Sequence, residues 1–167
     1  MLSKKIEKAF NGQVNAEYYS SYLYLSMAAC FEAQNLKGMA QWMRIQAQEE
    51  MNHVMKFFDF INDRGGKVRL ASIEAPAANW NSPLATFEAA YEHERKVTGS
   101  IDDLLELSMK EKDHAASTFL QWFVTEQVEE EANVSQIVEN LKLAGDNKSV
   151  LYMIDKELGQ RTLGSAG

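Results

Sequence analysis

Cysteine occurs once in 167 residues, at Cys30, so neither an intrachain disulfide nor a structural zinc site built from thiolates is possible. Proline is nearly as scarce. Pro76 and Pro83 fall in one short stretch and leave long helix-compatible runs on either side. No run of about 18 apolar residues occurs, which excludes a membrane-spanning helix, and the N-terminal MLSKKIEKAF has no apolar core of signal-peptide length. Positive charge is the minority sign: 17 Lys and Arg stand against 24 Asp and Glu, a net charge of -7. Such a surface gains nothing from releasing the counterions of nucleic acid or anionic membrane, and it favours cations as partners. These absences predict one domain over residues 1–167, in a reducing, cytoplasmic compartment, with no nucleic acid and no membrane as partner.

What is present is patterned. Four segments each carry a stripe that recurs with alternating steps of three and four residues. Over roughly 4–32 the stripe is Phe10, Val14, Glu17, Ser21, Tyr24, Ala28, Phe31. Over roughly 36–64 it is Leu36, Met39, Met43, Gln46, Glu50, His53, Phe57, Phe60. The third, roughly 83–111, runs Leu84, Phe87, Tyr91, Glu94, Thr98, Ile101, Leu105. The fourth, roughly 114–142, runs Ala116, Leu120, Phe123, Gln127, Glu130, Val134, Ile137, Leu141. Helices of about 28 residues are about 42 Å long, well beyond the globular mean, and predict an all-α four-helix bundle.

Asn35 and Gly38 separate the first two segments, Gly65 and Gly66 end the second, and Asp113 can cap the fourth. The 18 residues 65–82 are long enough to cross the bundle between helices 2 and 3 and are expected to start the third helix parallel to the first. Beyond Gly145, Asp146 or Asn147 can cap a short C-terminal fifth helix with Val150, Leu151, Ile154 and Leu158 on its apolar side, and the tail RTLGSAG is expected to fray. An internal echo pairs the halves. WMRIQAQEEMNHV from Trp42 and WFVTEQVEEEANV from Trp122 align Glu49-Glu50 with Glu129-Glu130, and His53 with Asn133.

Each stripe turns polar near its middle, which places Glu17, Glu50, His53, Glu94, Gln127 and Glu130 in one interior layer. Several carboxylates cannot share a buried layer as anions unless cations compensate them. Glu50 and His53, spaced i and i+3, can reach a single ion from one helical face. Di-iron carboxylate bundles use one Glu from each of two helices and Glu-x-x-His from each of the other two; this chain has that set minus one histidine, with Asn133 in the missing place. Oxygen ligands with one imidazole suit iron or manganese, and open positions admit oxygen between two metals. The expected arrangement has Glu17, Glu50 and His53 on one iron, Glu50 bridging, and Glu94 with Glu130 on a second, looser iron.

Glu17, Glu49-Glu50-Met-Asn-His53, Tyr-Glu-His-Glu94 and Glu126-Gln127-Val-Glu129-Glu130-Glu resemble the non-haem ferritins of bacteria and archaea, and the likeness covers nearly the whole chain. The resemblance implies a ferritin-like fold and a ferroxidase centre at the positions of Glu17, Glu50, His53, Glu94 and Gln127 or Glu130. It implies a third iron position near Glu49, Glu126 and Glu129, with Tyr24 and Trp122 beside the centre as electron donors. It also implies oxidation of Fe(II) with O2 or H2O2 and storage of ferric oxide in a hollow homo-oligomeric shell of 24 subunits.

Rival readings are a haem-binding bacterioferritin-like protein, with Met51 as the haem ligand, and a miniferritin-type DNA-protecting shell. A rubrerythrin-like peroxidase needs a cysteine-bound iron that one cysteine does not supply. A lone Glu on a helix stripe is most often an edge residue reaching solvent, and only the convergence of four stripes outweighs that. His93 and His114 are expected at the surface, Cys30 as a packing residue, and Tyr18, Tyr19, Tyr22 and Trp80 on faces suited to subunit contacts.

Overall fold

The computed structural model describes residues 1–164, and residues 165–167 of the tail expected to fray lie outside them. The described residues form five helices and no strands: α1 (Lys4–Ala33), α2 (Lys37–Asp63), α3 (Pro83–Lys110), α4 (His114–Ala144) and α5 (Lys148–Leu158). Ser3 opens α1 by accepting from the Ile6 amide, and Ser82 opens α3 at the Ala85 amide, with Pro83 in the first turn where its missing N–H is harmless. Asp113 does the same for α4 at Ala116, and its carboxylate also takes both Nη atoms of Arg64, each at 3.0 Å, which clamps the end of α2 to the start of α4. Asn147 caps α5.

Helix α2 has no such residue of its own; Leu36 stands at its N-cap. The cap comes from α5, where Asp155 Oδ1 accepts from the Met39 amide at 2.9 Å. Gly38 makes this approach possible, since a Cβ there would lie 1.6 Å from the Asp155 carbonyl oxygen.

The crossover ascends along α1. Asn11 Nδ2 donates to Lys67 O (3.0 Å), Asn15 Nδ2 to Ser72 O (3.1 Å) and Ser26 Oγ to Ala77 O (2.6 Å). Having regained the end where α2 began, the chain enters α3 in the direction of α2. Contacts between α1 and α3 accordingly run in opposite order, Gln13 with Ser100, Ser20 with His93 and Phe31 with Phe87. Helix α3 is therefore antiparallel to α1, which corrects the expectation of a parallel start. A crossover of full length reverses the position of the chain without reversing the sense of the next helix.

The core divides in two. Tyr24, Met27, Phe31, Met39, Met43, Phe87, Val134 and Leu141 fill one end, and Ile6, Phe10, Val14, Phe57, Ile101, Leu120 and Phe123 fill the other. Trp80, expected on an outer face, instead packs against the first cluster, and Tyr18 and Tyr19 are partly buried, while Tyr22 is 48% exposed.

Candidate metal centre

Between the two apolar clusters lie Glu17, Glu50, His53, Glu94, Gln127 and Glu130, every one buried. Their stripes place them there because each sits near mid-helix among residues that must face the core. Glu17 Oε1 accepts from Gln13 Nε2 (2.8 Å), and Ser100 Oγ donates to Gln13 Oε1 (2.6 Å). Gln46 Nε2 donates to Glu50 Oε1 (3.0 Å) and to Glu130 Oε2 (2.9 Å), tying α2 to α4. Glu94 takes the Tyr24 hydroxyl on Oε1 and Gln127 Nε2 on Oε2 (3.1 Å). His53 Nδ1 lies 3.2 Å from Glu50 Oε2 and 3.7 Å from Glu17 Oε2, the second too long for a hydrogen bond.

Two groups can each hold a cation. Glu17, Glu50 and His53 present ligand atoms within 4.8 Å of one another, and so do His53, Glu126 and Glu130. Among the described residues Glu17 Oε2 is the buried side-chain oxygen left without a hydrogen-bond partner, and it faces the first group. A buried acceptor with no donor is unfavourable by roughly 1–3 kcal/mol or more, and a cation is the partner this donor set fits.

Electrostatics agree with the crowding. Burial, reinforced by Glu94, pushes the Glu130 carboxyl up to about 8, and burial also raises Glu50 and Glu94. Burial alone would lower His53, but the Glu17 and Glu50 carboxylates against its ring outweigh it and drive the imidazole to about 11. Burial and then Glu94 hold the Tyr24 phenol well above its ordinary range.

The family described as Ferritin, Ferritin-like domain, matches residues 7–144. The chain is 45% identical to the bacterial non-heme ferritin of Bacteroides fragilis, over 96% of this chain and 100% of that protein. It is 39% identical to the bacterial non-heme ferritin of Staphylococcus aureus, over 97% and 98% of the two. The crystal structure of an open pore ferritin from Archaeoglobus fulgidus superposes with a TM-score of 0.96 at 54% identity, covering 97% of this chain and 100% of that one. The chain belongs to the non-haem ferritins.

In this ferritin the remaining sequence candidates spread outward from the layer. Glu126 is half-buried and joins His53 and Glu130; Glu129 is exposed. Glu49 carries the guanidinium of Arg161, whose Nη1 donates to Gln46 Oε1 at 2.8 Å and which lies 4.3 Å over the Trp42 ring. Arg161 belongs to the stretch expected to fray, and these contacts to α2 hold it instead. Asn133 does not take the place of a second histidine; it is exposed, and Gln127 supplies the α4 amide that enters the layer. His93, expected at the surface, is half-buried beside α1, where its Nε2 meets Ser20 Oγ at 2.8 Å and burial lowers it to about 4. His114 is exposed. Trp122, 40% exposed, stands edge-on to the His53 ring, centroids 5.5 Å apart.

Gln13, Gln46 and Arg161 were not singled out from the sequence. Gln46 carried a signal, since it precedes Glu50 by one turn on the same stripe. Arg161 carried none, because its partners lie more than 100 residues away.

Proposed function

We propose that this ferritin stores iron and oxidises it, with Fe(II) as substrate bound in the mid-bundle layer and O2 or H2O2 as oxidant. The observation that carries the reading is the pair of buried ligand groups that share His53, one of them containing the partnerless Glu17 Oε2. Glu17, Glu50 and His53 hold the first Fe(II), with Glu50 bridging to a second held by Glu130, Glu94 and Glu126. Gln127 keeps Glu94 in place. Two Fe(II) give up two electrons, which with two protons convert O2 to H2O2, itself an oxidant for further Fe(II).

The protein controls this with charge. Carboxyls whose proton affinity burial has raised release protons when a cation displaces them, and the metal then neutralises the anionic layer that results. Tyr24 stays protonated beside Glu94 and is placed to supply an electron, with its phenolic proton passing to the Glu94 carboxylate it already bonds. Ferric product collects in the cavity of a homo-oligomeric shell, for which 24 subunits is the proposed number. A reducing cytoplasm is the proposed compartment, in keeping with a chain that has one cysteine and no possible intrachain disulfide. With one member of the first ligand group removed, Glu50→Ala or His53→Ala should slow the appearance of the near-ultraviolet ferric absorbance by at least about 10-fold. Variants that oxidise Fe(II) as fast as the parent chain would refute the assignment.

A further inference from the structure

The acidic layer has an outer edge, and a side chain from the C-terminal segment sits on it. After α5 the chain turns back so that Arg161 reaches α2, where one guanidinium nitrogen engages Glu49 and the other donates to Gln46 Oε1 at 2.8 Å. The ion pair is largely enclosed, with the Arg161 and Glu49 side chains 11% and 13% exposed, and the guanidinium plane covers Trp42. Three simultaneous contacts to a planar fork are what an ammonium could not reproduce. Gln46 is the link inward. Its Oε1 is held by Arg161 while its Nε2 spans Glu50 and Glu130, so the tail is joined through one amide to both halves of the layer.

Glu49 also lies within electrostatic reach of His53 and Glu126, so the outer edge is continuous with the metal-binding groups. A cation approaching Glu49 meets a site whose positive charge is already supplied. We propose that Arg161 is a built-in counter-cation and positioning residue: its guanidinium holds the outer edge at Glu49 closed, and a metal ion occupies that edge only by displacing it and releasing the tail. The proposal rests on the reading of the inner layer as a cation site. It orders the events, because the inner groups fill while the Arg161 fork stays closed, and outer binding then frees Gln46 Oε1 and loosens the segment after α5.

Docking of α5 itself is independent of Arg161, since Asp155 and Gly38 seat that helix on α2. Loss of the guanidinium therefore leaves the helix in place. The test is titration of the metal-free full-length protein with Co(II), which needs no turnover, followed by calorimetry and by visible absorbance. The parent chain should show tight inner binding and a weaker outer step. In Arg161→Leu the outer step should tighten by about 10-fold or more, Arg161→Lys should fall between, and Glu49→Gln with Arg161→Leu should lose the gain. In the parent chain, hydrogen exchange at residues 159–164 should stay slow through the inner step and quicken during the outer one.

An outer step that is the same in Arg161→Leu as in the parent chain, or exchange at 159–164 that is unmoved at saturation, overturns the proposal while inner binding remains intact. Absence of inner binding in every form overturns the layer itself, and that result is distinguishable because it needs no Arg161 variant to be seen.

Discussion

Tyr24 is fully enclosed, and its hydroxyl donates to a carboxylate oxygen of Glu94 that has no other donor among the hydrogen bonds of the layer. Removing the hydroxyl in Tyr24→Phe leaves that oxygen buried and unpaired, so the metal-free protein should lose about 1–3 kcal/mol in denaturant unfolding. The loss should shrink when a divalent cation fills the layer, because the cation becomes the partner of Glu94. An equal loss with and without metal would reduce Tyr24 to a packing residue. Glu17, Glu50, His53, Glu94, Gln127 and Glu130 were legible in the sequence because a polar residue in mid-stripe, repeated on four helices, has no apolar explanation. Their partners were less so. Gln46 and Gln13 also lie on or beside the stripes, but an amide reads as filler until its two ends are seen to face carboxylates. Asn133, aligned with His53 by the echo, is exposed, and the amide that enters the layer from α4 is Gln127.

Helix α5 shows what an element contributes beyond its own turns. It buries only Asp155 fully, yet that one carboxylate supplies the cap that α2 lacks, and its seat depends on the bare backbone of Gly38. Gly38→Ala places a Cβ within bond-length distance of the Asp155 carbonyl, which no side-chain adjustment can relieve because the obstacle is backbone. The variant should keep α1 to α4 but lose protection of α5 amides in hydrogen exchange, with fast exchange confined to residues 148–158 and the α2 amide at Met39. Protection of α5 equal to that of the parent chain would mean that the helix has another seat. At this scale the helices, their lengths and the fifth helix were readable from periodicity and stop signals. The sense of α3 follows from the crossover too, since a loop that runs the full length of the bundle leaves the next helix parallel to α2, so a start parallel to α1 is inconsistent with that loop; the ladder of Asn11, Asn15 and Ser26 shows its course. Arg161 escaped, since a tail without periodicity reads as loose unless its distant acceptors are known.

Across the whole molecule, the layer is a trade of stability for binding. Glu130 holds a proton up to about 8 in the fold, against an ordinary value of 4.5, so between those values the folded chain binds more protons than the unfolded one. Stability of the metal-free protein therefore falls as pH rises through that window. Glu50 and Glu94 are raised in the same sense. His53, raised to about 11 from 6.5, adds a contribution that is complete below 6.5 and lost on the way to 11, and its slope has the same sign. His93, lowered by burial to about 4, opposes these slopes below 6.5 and not above it, and the two apolar clusters on either side of the layer keep the bundle folded. A bound divalent cation inverts the dependence, since it requires the deprotonated carboxylates and the neutral imidazole and competes with their protons. Urea unfolding midpoints measured from pH 7 to 9 should decline for metal-free protein and rise with pH in saturating Zn(II), so that the two curves diverge most at the alkaline end. Parallel curves would mean that the carboxylates of the layer do not exchange protons for metal, and the layer would then be a structural polar seam.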